Sequence, residues 1–302
     1  MLVLQNVAIC KVLWKFRMAD QIPVFHPTPD QEFVFKCYGV AVAIQCIDRG
    51  LLAEAEERLR AALLDRIEII DNIFDTSAKH CFKIGLYNGL YYYSKNGSEG
   101  SWNPVRFIVL NFLESMVRLT IAEHAVGRVF IHSGVVAWNG RAMLIPGNSY
   151  SGKSTLIAEL VKNGAVYYSD EYAILDENGL VHPFPRPLAM RGIVSEHEQI
   201  DVSVESLGGI YGHEPIPVGM VLITEFKEDA KWEPIALGLG KGILEIIPHT
   251  ISIRFNTKFA LGVLNKVVAG ALVIKSQRHD AKKFAKILSN FFDKRLNCVK
   301  MA

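Results

Sequence analysis

A chain of 302 residues has room for one large or two modest domains. Half of its residues are hydrophobic and 21% are charged, the balance of a protein that buries a full core. A net charge of +2, with no aromatic–basic interleaving and no zinc-type cysteine spacing, excludes a polyanion-coating or nucleic-acid-reading protein as the expectation.

The first stretch, Met1 to Phe16, is apolar but carries Lys11 and Lys15 and lacks a small-residue cleavage site. It reads as an extension ahead of Met18 rather than a signal peptide. No apolar run reaches the length of a membrane span. The five cysteines, Cys10, Cys37, Cys46, Cys81 and Cys298, are scattered and odd in number, with no C-x-x-C. They read as reduced, mostly buried thiols of a cytoplasmic protein.

Glu32 to Ile47 is β-rich, and Leu51 to Asp65 has the spacing of an amphipathic helix. Lys83 to Ser94 resembles a hairpin that turns at Asn88-Gly89. Tyr91, Tyr92 and Tyr93 in its second strand are expected to pack half-buried rather than stack on a ligand. Lys95 to Trp102 is polar and glycine-bearing and reads as a linker. These elements predict a small α/β N-terminal domain over 1–100 and a second domain over 101–302. Pro104 then opens a helix to about His124, expected to pack under the sheet of the second domain, with Glu114 and Glu123 as surface acids.

The next segment holds the chemistry. Arg128 to Trp138 reads as a strand, Asn139-Gly140 as a tight turn, and Arg141 to Ile145 as the returning strand. The chain then enters Gly147-Asn148-Ser149-Tyr150-Ser151-Gly152-Lys153-Ser154-Thr155, which fits G-x-x-x-x-G-K-[ST]. Glycines let such a loop curl its N–H groups inward onto phosphate oxygens; the lysine reaches the β/γ-phosphates and the serine hydroxyl can ligate Mg²⁺. Ser154 to Lys162 continues as a helix, whose N-terminus favours anions, and Asn163-Gly164 stops it. A β-prone run follows and ends in Asp170-Glu171. Adjacent carboxylates at a strand end beside a phosphate loop can hold a metal or accept a proton from an attacking hydroxyl. His132, in the first strand of the hairpin, has two readings, a hydrogen-bonded core residue or a member of the site.

Downstream, 194–212 is polar and could serve as a lid or acceptor-binding loop. Gly219 to Glu225 is a clear strand. Gly238-Leu239-Gly240-Lys241-Gly242 reads as an ordinary turn in preference to a second phosphate nest. Ala271 to Lys275 is a last strand, and Asp280 to Leu296 a terminal helix expected to pack on its own domain or on another subunit.

Ile131-His132-Ser133-Gly134-Val135-Val136, the hairpin, the Gly147 to Thr155 loop and Ser169-Asp170-Glu171 together resemble the catalytic core of bacterial HPr kinase/phosphorylase. They resemble more closely its divergent HPr-kinase-like serine kinases. The tract His182-Pro183-Phe184-Pro185-Arg186-Pro187-Leu188 is similar too, so the resemblance spans about Phe130 to Leu188. It implies an α/β fold of the type shared with phosphoenolpyruvate carboxykinase, and an ATP- and Mg²⁺-dependent kinase acting on a serine of a protein or peptide. Under it Gly147, Asn148, Ser149, Tyr150, Ser151, Gly152, Lys153, Ser154 and Thr155 hold the phosphates, with Lys153 also catalytic. Ser154 and Glu171 hold the metal, Asp170 activates the acceptor hydroxyl, and His132 tunes the acid. Arg186 is a candidate for a phosphate or acceptor contact.

The sequence departs from that family at Tyr150, where a glycine is common, and at Glu171, where Asp is usual. Met190-Arg191-Gly192-Ile193 only faintly echoes the signature of the bifunctional enzymes, so phosphorylase activity is not expected. Two other readings stay open: a kinase for a small molecule such as a free amino acid, and a nucleotide-binding regulator without transfer.

Overall fold

The asparagine–glycine turns form with the left-handed backbone that tight hairpins demand. Asn88 and Gly89 have φ of 49° and 78°, and Asn139 and Gly140 have φ of 49° and 72°. The computed structural model describes residues 28–70, 80–98, 100–148, 151–191 and 199–300. The chain divides into two units, Met1–Val126 and Gly127–Ala302.

The first unit is a six-stranded sheet carrying two helices. Its strands are β1 (Glu32–Cys37), β2 (Val40–Gln45), β3 (Glu68–Ile69), β4 (His80–Tyr87), β5 (Leu90–Lys95) and β6 (Ser101–Asn103), in the order β3-β1-β2-β4-β5-β6. The β2–β4 pair is parallel and the others are antiparallel. Helix α1 (Arg49–Ala62) starts where the Asp48 carboxylate accepts the Leu51 N–H at 3.0 Å. It shares a core with α2 (Arg106–His124): Leu51 and Leu59 of α1 and Leu110, Leu113 and Val117 of α2 meet Phe35, Ile44, Phe82 and Ile84 of the sheet.

Four expectations change here. Lys95 to Trp102 is not a linker, because Ser101 pairs with Tyr93 and extends the same sheet. The unit boundary accordingly falls after Val126 rather than after Gly100. Helix α2 belongs to the core of the first unit, not beneath the second sheet. Glu114 is no surface acid either: it lies 3.5 Å from Arg58 of α1 and 3.4 Å from Arg118, bracing the helix pair. The tyrosines pack as expected. Tyr92 is buried against Trp102, and a methyl group at Gly85 would strike its ring at 2.5 Å.

The second unit is built on β7 (Val129–Trp138), β8 (Arg141–Pro146), β9 (Val166–Ser169), β10 (Tyr172–Leu175), β11 (Leu180–His182), β14 (Ile216–Phe226), β15 (Ile235–Ala236) and β16 (Leu272–Arg278), with β12 (Leu188–Arg191) and β13 (Gln199–Val202) as a separate two-stranded ribbon. The main order is β11-β10-β7-β8-β14-β16-β15. Because β11 also pairs with β14, five strands (β14, β8, β7, β10 and β11) close into a ring. Strand β8 runs antiparallel to β7 and parallel to β14, so a hairpin rather than a βαβ crossover delivers the chain into the glycine loop.

Alternation along the strands divides the residues between two cores. Met143 and Ile145 pack with Leu156 and Leu160 of α3 (Lys153–Lys162) and with Phe284, Leu288 and Phe292 of α6 (Ala281–Lys300). Ala142 and Leu144 face the other way, onto Ile246 of α4 (Leu239–Ile246) and Ala260, Val263 and Leu264 of α5 (Thr257–Gly270). The result is a mixed α/β architecture with helices on both faces of the sheet. The glycine-rich stretch at 238–242 is not a turn. It begins α4, and buried Gly242 lets that helix approach Val268 and Val273, which a methyl group would meet at 3.0 and 3.3 Å. Among the described residues, no helix is long and apolar enough to cross a membrane.

Candidate functional site

The site grows from the end of β8. The Gly147 N–H donates to the His132 carbonyl at 3.3 Å, tying the mouth of the loop to β7. The Ser151 N–H turns back onto the Asn148 carbonyl at 3.3 Å. Gly152 then takes φ of 76°, a left-handed conformation that costs a side-chain-bearing residue about 1 kcal/mol or more, and α3 begins at Lys153. Ser149 and Tyr150 lie outside the described residues. Thr155 is exposed on α3.

Lys153 is buried and donates from Nζ to the Gly147 carbonyl at 2.7 Å and the Asn148 carbonyl at 2.8 Å. Burial pulls its pKa down to about 8, with the charges of Asp170 and Glu171 working against the fall.

The two acids sit on one continuous stretch of chain. β9 and β10 both pair with β7, Ser169 opposite Val135 and Tyr172 opposite His132. That register sets Asp170 opposite Gly134 and Glu171 opposite Ser133, whose N–H donates to the Glu171 carbonyl at 3.1 Å. The Ser169 hydroxyl accepts the Glu171 and Tyr172 N–H groups at 3.2 and 3.1 Å, locking the turn of the acids. Asp170 is buried, and Gly134 presents no side chain to cover it. Burial raises its pKa to about 6, while the Ser154 hydroxyl, the Lys153 ammonium and the Ala189 N–H pull the other way. Glu171 meets the Arg186 guanidinium at 2.8 Å, and the Arg186 carbonyl accepts the Tyr167 hydroxyl at 2.6 Å. Arg186 thus pairs with one of the two acids, a contact that the sequence reading, which offered it as a phosphate or acceptor contact, did not name.

His132 falls at the same end of β7. Desolvation first, and then the charges of Lys153 and His249, lower its pKa to about 3, so it is a neutral imidazole throughout the physiological range. His249 and Arg278 are two members the sequence reading missed. An isolated bridge between Ile131 and Thr250 brings His249 beside β7, where burial and then the Lys153 charge lower its pKa. Arg278 reaches from the end of β16 to donate to the Ser151 and Gly152 carbonyls at 2.9 and 3.0 Å. His249 has no local signal, since its neighbour in space lies far away in sequence. Arg278 had one: Lys275 and Gln277 point out and Ser276 and Arg278 point in, by the two-residue period of the strand.

Of the buried side-chain atoms without a hydrogen-bond partner, Ser151 Oγ, Asp170 Oδ1, His249 Nδ1 and Arg278 Nε belong to the loop or to residues that interact with it, while others, such as Tyr93 Oη and Thr224 Oγ1, lie elsewhere. Buried polar groups are almost always satisfied, so a cluster of unmet donors and acceptors is what a site awaiting a polar ligand should contain. For a phosphate chain the fit is good: a left-handed glycine, a helix N-terminus, a buried lysine and unmet polar atoms stand together. For a metal, the described residues hold no group of three or more His, Cys, Asp or Glu side chains. A nucleotide-borne Mg²⁺ needs fewer, one or two carboxylates beside the phosphates. Ser154 and the two acids could meet that requirement, one oxygen of Glu171 being engaged by Arg186. No family model matches this chain, and no curated protein matches it at significance.

Proposed function

We propose that the second unit is an ATP- and Mg²⁺-dependent kinase core of the HPr-kinase-like type, transferring the γ-phosphoryl group to a serine hydroxyl of a protein or peptide. The observation that carries this reading is a glycine loop with a left-handed Gly152 leading into a helix and a buried lysine, with the unmet polar atoms of Ser151, Asp170 and Arg278 at the loop or on residues that interact with it. Binding is an exchange for Lys153, whose ammonium leaves the Gly147 and Asn148 carbonyls for phosphate oxygens. The first N–H groups of α3, which have no intrahelical partner, supply further donors.

Asp170 acts as the base. The acceptor oxygen attacks the terminal phosphorus, its proton passes to the Asp170 carboxylate, and the bond to the bridging oxygen breaks as the diphosphate leaves. Burial that raises the Asp170 pKa to about 6 makes it a better proton acceptor while leaving it mostly ionised at neutral pH. In this reading His132, held neutral by burial, orients the acid without adding repulsion toward Lys153. A bound Mg²⁺ would supply charge neutralisation on the phosphates, held by Ser154 and a carboxylate. Phosphorolysis is not part of the proposal, nor is any particular acceptor protein.

The test is transfer from γ-labelled ATP in the presence of Mg²⁺ and a lysate of the native host, with Lys153→Ala as control. Label on a protein or peptide, absent in the control, supports the proposal. Label on a small molecule alone moves the activity to a metabolite kinase, and nucleotide binding without transfer makes the protein a regulator.

A further inference from the structure

Arg278 is 3% exposed; it makes no close ion pair among the described residues, and the Asp280 carboxylate acts on it only from a distance, against the cost of burial. A buried guanidinium without a close ion pair is unfavourable unless its surroundings return the lost solvation. Here one terminal nitrogen donates to the Ser151 carbonyl at 2.9 Å and the Gly152 carbonyl at 3.0 Å, and the Phe226 ring lies 5.7 Å from the guanidinium carbon. The other terminal nitrogen reaches only the His279 carbonyl at 3.4 Å, and Nε has no partner.

Those two carbonyls have a specific consequence. In a planar trans peptide the C=O and the following N–H point in opposite directions. The Ser151 carbonyl shares its peptide plane with the Gly152 N–H, and the Gly152 carbonyl shares its plane with the Lys153 N–H. A donor that fixes both oxygens on one side therefore fixes both N–H groups on the other. Gly152 admits this contact because it has no side chain: a methyl group there would sit 2.5 Å from the Arg278 nitrogen.

We infer that Arg278 is a positioning residue for the phosphate site, holding the Gly152 and Lys153 N–H groups toward the anion from behind and adding a second buried cation to the field of Lys153. The inference rests on the reading of the loop as a phosphate site, and it predicts the ligand class as polyphosphate, whatever nucleoside is attached.

The test is calorimetric titration of the full chain with ATP and, separately, with inorganic tripolyphosphate, alongside thermal melting, for wild type, Arg278→Lys and Arg278→Gln. Losing a charge-assisted bond pair should raise Kd for both probes roughly tenfold in Arg278→Gln. Arg278→Lys, which keeps the charge but loses the planar fork, should raise it about threefold. The rise should appear in KM more than in kcat, because the residue acts on the loop and not on the reacting atoms. A folded variant whose melting temperature falls while both Kd values stay at wild type would reduce Arg278 to a packing residue and overturn the inference. If glutamine does not fold, the lysine variant alone decides by the same criterion. Wild-type protein that binds neither probe would overturn the phosphate-site reading itself, a result distinct from an unaltered Kd in the variants.

Discussion

A buried carboxylate with an unmet oxygen opposes folding whenever it is ionised, and Asp170 is such a group. Its folded pKa, raised from 3.8 to about 6, lies above the unfolded value. Stability from this group is thus full below the unfolded pKa and declines as pH rises through about 6. At pH 8 the penalty is about 3 kcal/mol. Asp170→Asn, in the absence of nucleotide and metal, should therefore be more stable than wild type in urea titrations at pH 8, with the gap closing toward pH 4. It should also retain ATP binding and lose transfer. A variant that still transfers phosphate would remove Asp170 from the role of base. Lys153→Ala should lower turnover by about 10²-fold or more, since it deletes a preorganised cation at the phosphates. His132→Ala should slow transfer roughly tenfold through the orientation of the acid, with an unchanged melting temperature. A change in melting temperature alone would return His132 to the core.

At the scale of elements, the glycine loop depends on how closely α3 lies on β7. Gly134 sets that distance, because a methyl group there would meet Ile157 Cγ1 at 2.7 Å and Cδ1 at 2.8 Å. Gly134→Ala should destabilise the protein by about 1–3 kcal/mol and weaken ATP binding as α3 is pushed outward. Ile157→Val added to it should recover part of both losses in denaturation and binding assays, which a defect local to the strand would not allow. This hairpin, its Asn139-Gly140 turn and the helix after the loop were legible in the sequence because their signals are local: a turn that needs positive φ, an apolar strand, a helical period. The same locality hid the rest. Arg278 and His249 reach the site through strand pairing and a bridge that no window of neighbouring residues contains. The glycines at 238–242 misled for a related reason, serving close helix packing where a turn was expected.

On the scale of the whole molecule, each unit has its own core, and the proposed chemistry lies in the second. In hydrogen exchange, ATP with Mg²⁺ should slow the amides of the loop and the first turn of α3, leaving the sheet of the first unit unchanged. Protection reaching β1 and β2 would mean that the units are energetically coupled. The unit boundary was misread because polar, glycine-bearing residues after Lys95 look like a linker by composition, whereas backbone pairing of β6 with β5 decides otherwise. The α/β character itself was plain from alternating strand and helix patterns, while the closure of the ring through β11 and β14 was not, since nothing in either strand names its partner.

The brace between Arg278 and the loop spans 126 residues of chain. During synthesis the loop leaves the ribosome long before the strand that supports it, and domains assemble as their segments emerge. If the loop is the proposed phosphate site, it is complete only once Arg278 has emerged. On that proposal, a ribosome-stalled chain ending before Arg278 should capture ATP poorly even with the entire glycine loop exposed.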